Sequence, residues 1–152
     1  METIQDLIVQ LESHKKDYVY YRKLADAYVD NNQVTEAISV FEQYMLIDTS
    51  RSEVYNNLGS LYFILKDFEK SEKYFIDGLQ KDPVNLDIIC NLRDLYVHAG
   101  RMDASLGMVE RYADVTKDPN VYKELAETYK KFGNFPKMLE MEQKFYLYSE
   151  KA

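Results

Sequence analysis

Apolar residues recur three and four positions apart along most of this chain, and the recurrences break at short polar intervals. That period places side chains on one face of an α-helix. At the start, Ile4, Leu7, Ile8 and Leu11 share a face and predict a helix over Thr3–Glu12. Further on, the same period predicts four helices over residues 18–31, 52–65, 86–98 and 120–132. Four more alternate with them, over 34–47, 68–81, 102–116 and 136–148. Asp67 and Asn134 stand where N-caps belong, and Pro136 suits a first helical turn. Pro83 and Pro119 read as stops between units. Only five Gly and three Pro are spread over 152 residues, which suits helices joined by short turns and argues against a strand-rich sandwich. The expected class is all-α.

The helices come in repeating pairs. The stretch YNNLGSLYF, residues 55–63, holds Tyr55, Leu58, Gly59 and Tyr62, followed by Ser71, Phe75 and Pro83. Thirty-four residues earlier stand Tyr21, Leu24, Ala25 and Tyr28, then Ala37 and Phe41. Thirty-four later stand Ile89, Leu92 and Tyr96, then Ser105 and Val109. A further step of 33 gives Tyr122, Leu125, Ala126, Tyr129 and Met138. A small residue at 59 and another at 71 allow two helices to cross closely, while Tyr55, Leu58 and Tyr62 fill the space between helices. A unit this short cannot bury its apolar face alone, so neighbouring units must stack. The many tyrosines are read as core.

This pattern of an aromatic, Leu-small, Tyr, then a small residue, an aromatic and a Pro resembles the tetratricopeptide repeat family. Residues 52–85 match it nearly position for position. Residues 18–51 match but end in Thr49 where Pro is usual. Residues 86–118 place Arg93 where a small residue is expected, and residues 119–152 place Met138 at the small site. The resemblance implies a right-handed α-solenoid of tandem helix-turn-helix units, forming a single domain over residues 1–152. It also implies a concave groove lined by the first helix of each unit. The first unit would supply Val19, Arg22, Lys23, Asp26 and Val29. The second would supply Glu53, Asn56, Asn57, Ser60, Phe63 and Ile64. Asp87, Cys90, Asn91, Asp94, Val97 and His98 would follow from the third, and Lys123, Glu124, Glu127, Lys130 and Lys131 from the fourth. Asn57 and Asn91 occupy equivalent sites, and an amide both donates to and accepts from an extended peptide backbone. Phe63, Ile64 and Val97 would offer apolar contacts to a ligand or to one another. Chaperone-binding members grip a terminal carboxylate at positions that correspond to Arg22, Asp26, Asn57, Asp87 and Asn91. Only Arg22 and Asn57 fit, and two Asp would repel an anion, so tight binding of acidic chaperone tails is not expected.

Charge narrows the partners. With 26 acidic and 19 basic residues, the net charge is −7. Nucleic acid and anionic membrane surfaces are therefore not the expected partners. No stretch approaches 18 consecutive apolar residues, and no leader segment is read at the start. The single cysteine, Cys90, excludes an internal disulfide and suggests a reducing, cytoplasmic setting. His14 and His98 stand alone, without ligands at metal spacing. No phosphate loop or nucleophile elbow appears. No enzyme, cofactor or metal site is expected.

The two ends leave alternatives open. The first helix falls where the second helix of a unit would fall, either as a cap or as the tail of a preceding repeat. At the other end, Met138, Leu139, Met141, Phe145, Tyr146, Leu147 and Tyr148 make an apolar last helix. It is its own cap, or a cut edge, or a face for a second copy, with Phe145, Tyr146, Leu147 and Tyr148 as the candidate self-association residues. The functional expectation is a protein-interaction module for a peptide or helix, with homo-oligomerisation as the alternative.

Overall fold

In the computed structural model, residues 2–151 are described; Met1 and Ala152, included in the expected domain, lie outside the described residues. The described residues form nine helices. They are α1 (Ile4–Ser13), α2 (Tyr18–Asp30), α3 (Val34–Met45), α4 (Ser52–Ile64), α5 (Phe68–Lys81), α6 (Leu86–His98), α7 (Met102–Thr116), α8 (Pro119–Lys131) and α9 (Phe135–Ser149). The all-α expectation of tandem helical hairpins holds. The chain divides into two compact units, Met1–Pro83 and Val84–Ala152, at the junction between the second and third repeats.

Local chemistry sets most helix starts. Thr3 caps α1 reciprocally: its hydroxyl accepts from the Asp6 N–H while the Asp6 carboxylate accepts from the Thr3 N–H at 2.9 Å. The carboxylate of Asp67 accepts from the Lys70 N–H, and the Asn134 amide oxygen from the Lys137 N–H, as expected of N-caps. Pro119 corrects the sequence reading. It is the first residue of α8, behind the N-cap Asp118, because its missing N–H costs nothing in a first turn.

The first unit packs α1 on α2, α2 on α3, α3 on α4 and α4 on α5. Val54 and Leu58 are fully buried, and Phe75 is 1% exposed. Each such apolar side chain contributes about 1.5–3 kcal/mol on leaving water. Where α4 crosses α5, a Cβ on Gly59 would lie 2.6 Å from Phe75 Cδ1 and Cε1. The buried Ser71 hydroxyl donates to the Gly59 carbonyl at 2.7 Å. Both small residues are thus required by the close approach, as the repeat pattern implied. The first tyrosines do more than fill space. Tyr21 donates its hydroxyl to the Lys15 carbonyl and Tyr55 donates to the Thr49 carbonyl, both at 3.0 Å. Each ties the first helix of a repeat to the segment leading into it.

One turn closes every hairpin. Asn32, Lys66, Gly100 and Gly133 have φ values of 59°, 61°, 70° and 71°. The next residue in each case donates to a tyrosine carbonyl five positions back: Gln33 to Tyr28, Asp67 to Tyr62, Arg101 to Tyr96 and Asn134 to Tyr129. This left-handed ending satisfies carbonyls that a helix terminus leaves open. Gly fits it freely, whereas Asn and above all Lys adopt it at a cost.

The second unit packs α6 on α7, α7 on α8 and α8 on α9. Its α7–α9 cluster centres on Ala113, Tyr122, Leu125 and Met141, with Met138, Phe145 and Tyr148 packed against it. A polar ladder runs beside that cluster. Tyr129 donates to Glu110, which also meets Lys137 at 2.8 Å. Tyr122 donates to Asp114 at 2.8 Å, which meets Lys144 at 2.9 Å. Glu140 joins the two rungs, 3.5 Å from Lys137 and 3.3 Å from Lys144. Arg93, the departure from the small-residue pattern, turns its guanidinium to Asp94 at 2.7 Å.

Candidate functional site

The candidate residues of the first unit lie on α2 and α4. Burial of Tyr21, Leu24 and Ala25 on one side of α2 leaves Arg22, Lys23 and Asp26 exposed and Val19 46% exposed. Val29 turns back and packs on the core. On α4, burial of Val54, Tyr55, Leu58, Gly59 and Leu61 leaves Asn56, Asn57, Ser60 and Phe63 half-buried and Ile64 54% exposed. The two helices are joined across this face. Arg22 reaches Glu53 at 3.7 Å, and the Asn57 amide donates to the Tyr18 hydroxyl at 2.8 Å. Burial raises the Tyr18 hydroxyl well above its ordinary value, assisted by Glu53, so it stays protonated. Surrounding protein raises the Asp26 carboxyl, Arg22 opposes that, and Asp30 adds to it. The Lys23 ammonium lies 5.7 Å from the Tyr20 ring centre.

In the second unit, α6 holds Cys90 and Asn91 half-buried. Asp87, Asp94 and His98 are exposed, and Val97 is 50% exposed. Asp94 is engaged by Arg93. On α8, Lys123, Glu124, Glu127, Lys130 and Lys131 all face outward. Three of them, Lys123, Glu127 and Lys130, form with Ala126 one wall of a cleft of about 270 Å³, whose other wall is Glu142, Phe145 and Tyr146 of α9.

The last helix separates its candidate residues. Phe145 is half-buried against the core, and Tyr148 stacks on Tyr122 with ring centres 5.6 Å apart. Tyr146 and Leu147 point outward, 64% and 49% exposed. Phe135 and Leu139 extend that outer apolar surface, 58% and 53% exposed.

Sequence reasoning missed one feature of the first unit. His14, Lys15, Lys16 and Arg51 surround an open cleft with Asp17, Tyr18 and Val19. Two adjacent lysines just before a helix start were the available signal, but Arg51 joins them only through folding. Among the described residues, no group of three or more His, Cys, Asp or Glu is arranged to hold a metal ion. No helix among them is long and apolar enough to cross a membrane.

Residues 52–85 match the tetratricopeptide repeat family. This chain carries a tetratricopeptide repeat. Among curated proteins, it is similar to the Hsp70-Hsp90 organizing protein 3 of Arabidopsis thaliana, with 23% identity over 132 residues. That match covers 83% of this chain, and the chain spans 23% of that protein's length. Among solved structures, MamA superposes with a TM-score of 0.68 at 19% identity, covering 97% of this chain and 87% of MamA. YrrB, described as a TPR protein with an unusual peptide-binding site, gives 0.61 at 16% identity, covering 95% of this chain and 75% of YrrB. These structural likenesses establish the shared tetratricopeptide fold. Proteins of this repeat class are generally protein-interaction scaffolds.

Proposed function

We propose that the chain is a non-catalytic interaction module that takes a peptide or helix of a partner protein on the outward faces of its first helices. The observation that carries this reading is α4. One side of it is consumed by the hairpin core. The other keeps Asn56, Asn57, Ser60, Phe63 and Ile64 together, amides and a hydroxyl beside apolar contacts. Amides serve an extended backbone, and apolar side chains serve its alternate residues. The resemblance to YrrB supports a peptide ligand.

The Arabidopsis relative raises chaperones as a partner class, and the first unit argues against an acidic chaperone tail. Asn57 already donates to Tyr18, Arg22 is paired with Glu53, and Asp26 adds negative charge. Calorimetry with such a tail is expected to give no sub-micromolar binding.

The test is affinity capture from the native cell, with wild type beside Ile64→Glu and Val97→Glu. Both positions are about half exposed, and neither is among the buried core residues. Asn57→Ala is a poorer probe, since it also strips the Tyr18 hydroxyl of its donor. A protein captured by wild type and lost by either variant supports the reading; equal recovery refutes it.

A second reading, self-association, is favoured by the outer surface of α9, where Phe135, Leu139, Tyr146 and Leu147 are exposed. Leu147→Glu tests it cleanly, whereas Phe145→Glu would also disturb the core. A monomer mass for wild type at high concentration by light scattering would exclude it.

A further inference from the structure

The cleft at the α1–α2 turn is a concentration of positive charge on an acidic chain. It has a volume of about 570 Å³ and is open to solvent. Lys15, Lys16 and Arg51 line it, and among the described residues none of the three has a carboxylate at ion-pair distance. Each nearby carboxylate also has a donor of its own. Asp17 accepts from the Val19 N–H at 3.0 Å. Asp48 accepts from Ser50 and from the Tyr44 hydroxyl. Glu53 pairs with Arg22. Arg51 feels the attraction of Glu53 and Asp48, and Asp17 lines the cleft, but three cations against one lining carboxylate leave it net positive although acids outnumber bases 26 to 19 in the whole chain.

Arg51 is also held in place. Its guanidinium lies 4.8 Å from the Tyr18 ring centre, and its Nε donates to the Tyr44 hydroxyl at 3.4 Å. A cation fixed this way loses little freedom when an anion arrives. Beside it, Val19 is 46% exposed and offers an apolar contact.

We infer that this cleft docks a short acidic segment of a partner protein, carboxylates facing Lys15, Lys16 and Arg51 and a neighbouring aliphatic side chain lying on Val19. Charge complementarity selects an anion. The net charge of −7 disfavours a long polyanion or an anionic bilayer, whose repulsion grows with every added charge. A segment with a few carboxylates escapes that repulsion, and Val19 has no use for a phosphate backbone. The cleft shares Val19 with the outward face of α2, but Ser60 and Ile64 of α4 do not line it.

The experiment is fluorescence anisotropy with the full chain and a labelled octapeptide alternating aspartate and leucine. The comparison probes are its asparagine counterpart, a uridine decamer and phosphatidylserine vesicles. The aspartate peptide is expected to bind weakly, more weakly still at high salt, and better than all three comparisons. Lys15→Glu/Lys16→Glu should weaken it on the order of tenfold, because two individually weak exposed attractions become repulsions. Lys15→Gln/Lys16→Gln should give a smaller loss, which guards against a folding defect. Ile64→Glu should bind as wild type, so this site and the α4 face fail or succeed separately. Equal binding of the asparagine peptide would overturn the inference. So would unchanged affinity in both lysine variants with helicity retained, or tighter binding of the uridine decamer or vesicles.

Discussion

Gly59 and Gly107 both sit inside helices, and replacing each by alanine should move stability in opposite directions. Helix propensity alone favours alanine over glycine by about 1 kcal/mol at either position. At Gly107 nothing lies within 4 Å of the added Cβ, so that gain should appear, at about 0.5–1 kcal/mol. At Gly59 the Cβ would stand 2.6 Å from two carbons of the Phe75 ring and 3.0 Å from a third. Phe75 is 1% exposed and has no space to retreat into. Relief requires α4 and α5 to move apart, which stretches the buried 2.7 Å bond from Ser71 to the Gly59 carbonyl. Overpacking of this kind costs about 1–3 kcal/mol, and a weakened buried hydrogen bond about 1 more. Subtracting the propensity gain leaves Gly59→Ala destabilised by about 1–3 kcal/mol. Urea unfolding followed by far-ultraviolet circular dichroism reads the sign directly. With a slope of about 1–3 kcal/mol per molar urea, the midpoint should fall by roughly 1 M. Phe75→Leu introduced into Gly59→Ala should recover part of the loss, and the double-mutant cycle should show coupling. Two alanine variants that are equally stabilised would refute the close crossing as the reason for glycine at 59.

Three further predictions rest on other contacts. Lys66→Gly should raise stability by about 0.5–1 kcal/mol, because it removes a side chain from a left-handed turn at φ 61°; a lower urea midpoint would contradict this. Tyr55→Phe should cost about 0.5–1.5 kcal/mol by deleting its bond to the Thr49 carbonyl, and a neutral result would show that the hydroxyl is dispensable. Asp114 is raised by burial but held below its ordinary value overall by hydrogen bonds from Lys144 and Tyr122. A depressed folded pKa contributes stability above the unfolded value of about 3.9, and the contribution is lost as pH falls through the folded value. The stability advantage of wild type over Asp114→Asn, measured by urea titration, should therefore be full near neutrality and shrink below about pH 4. An advantage constant across that range would dissociate Asp114 from the ladder.

Much of the fold was legible because its signals are local and repeated. A period of 3.6 reveals each amphipathic helix, and a recurrence of 33 or 34 residues reveals the hairpin. Gly59 and Ser71 were readable as a crossing because one helix pair must bring them together. Boundaries were less legible: α3 ends at Met45, whereas the pattern ran to Ile47, since Leu46 and Ile47 are apolar yet turn outward. Pro119 shows the same limit. A proline reads equally as a stop or as a first helical residue until its neighbour Asp118 is seen capping.

The sequence by itself determined the helices, their pairing and the tetratricopeptide repeat at residues 52–85, all of which depend on residues close along the chain. Tertiary structure decided which outward residues still have free chemistry. Asn57 looked wholly available for a ligand, but Tyr18, 39 residues away, takes one amide N–H and leaves the amide oxygen for a ligand. Phe145 and Tyr146 are neighbours in sequence, yet one packs on the core while the other faces solvent. Arg51 becomes part of a basic cleft with Lys15 and Lys16 only because Tyr18 and Tyr44 hold it there. The physical reason is common to all three. Helical period assigns a side chain to a face, but what that face meets depends on partners far away in sequence, and the local pattern carries no record of them.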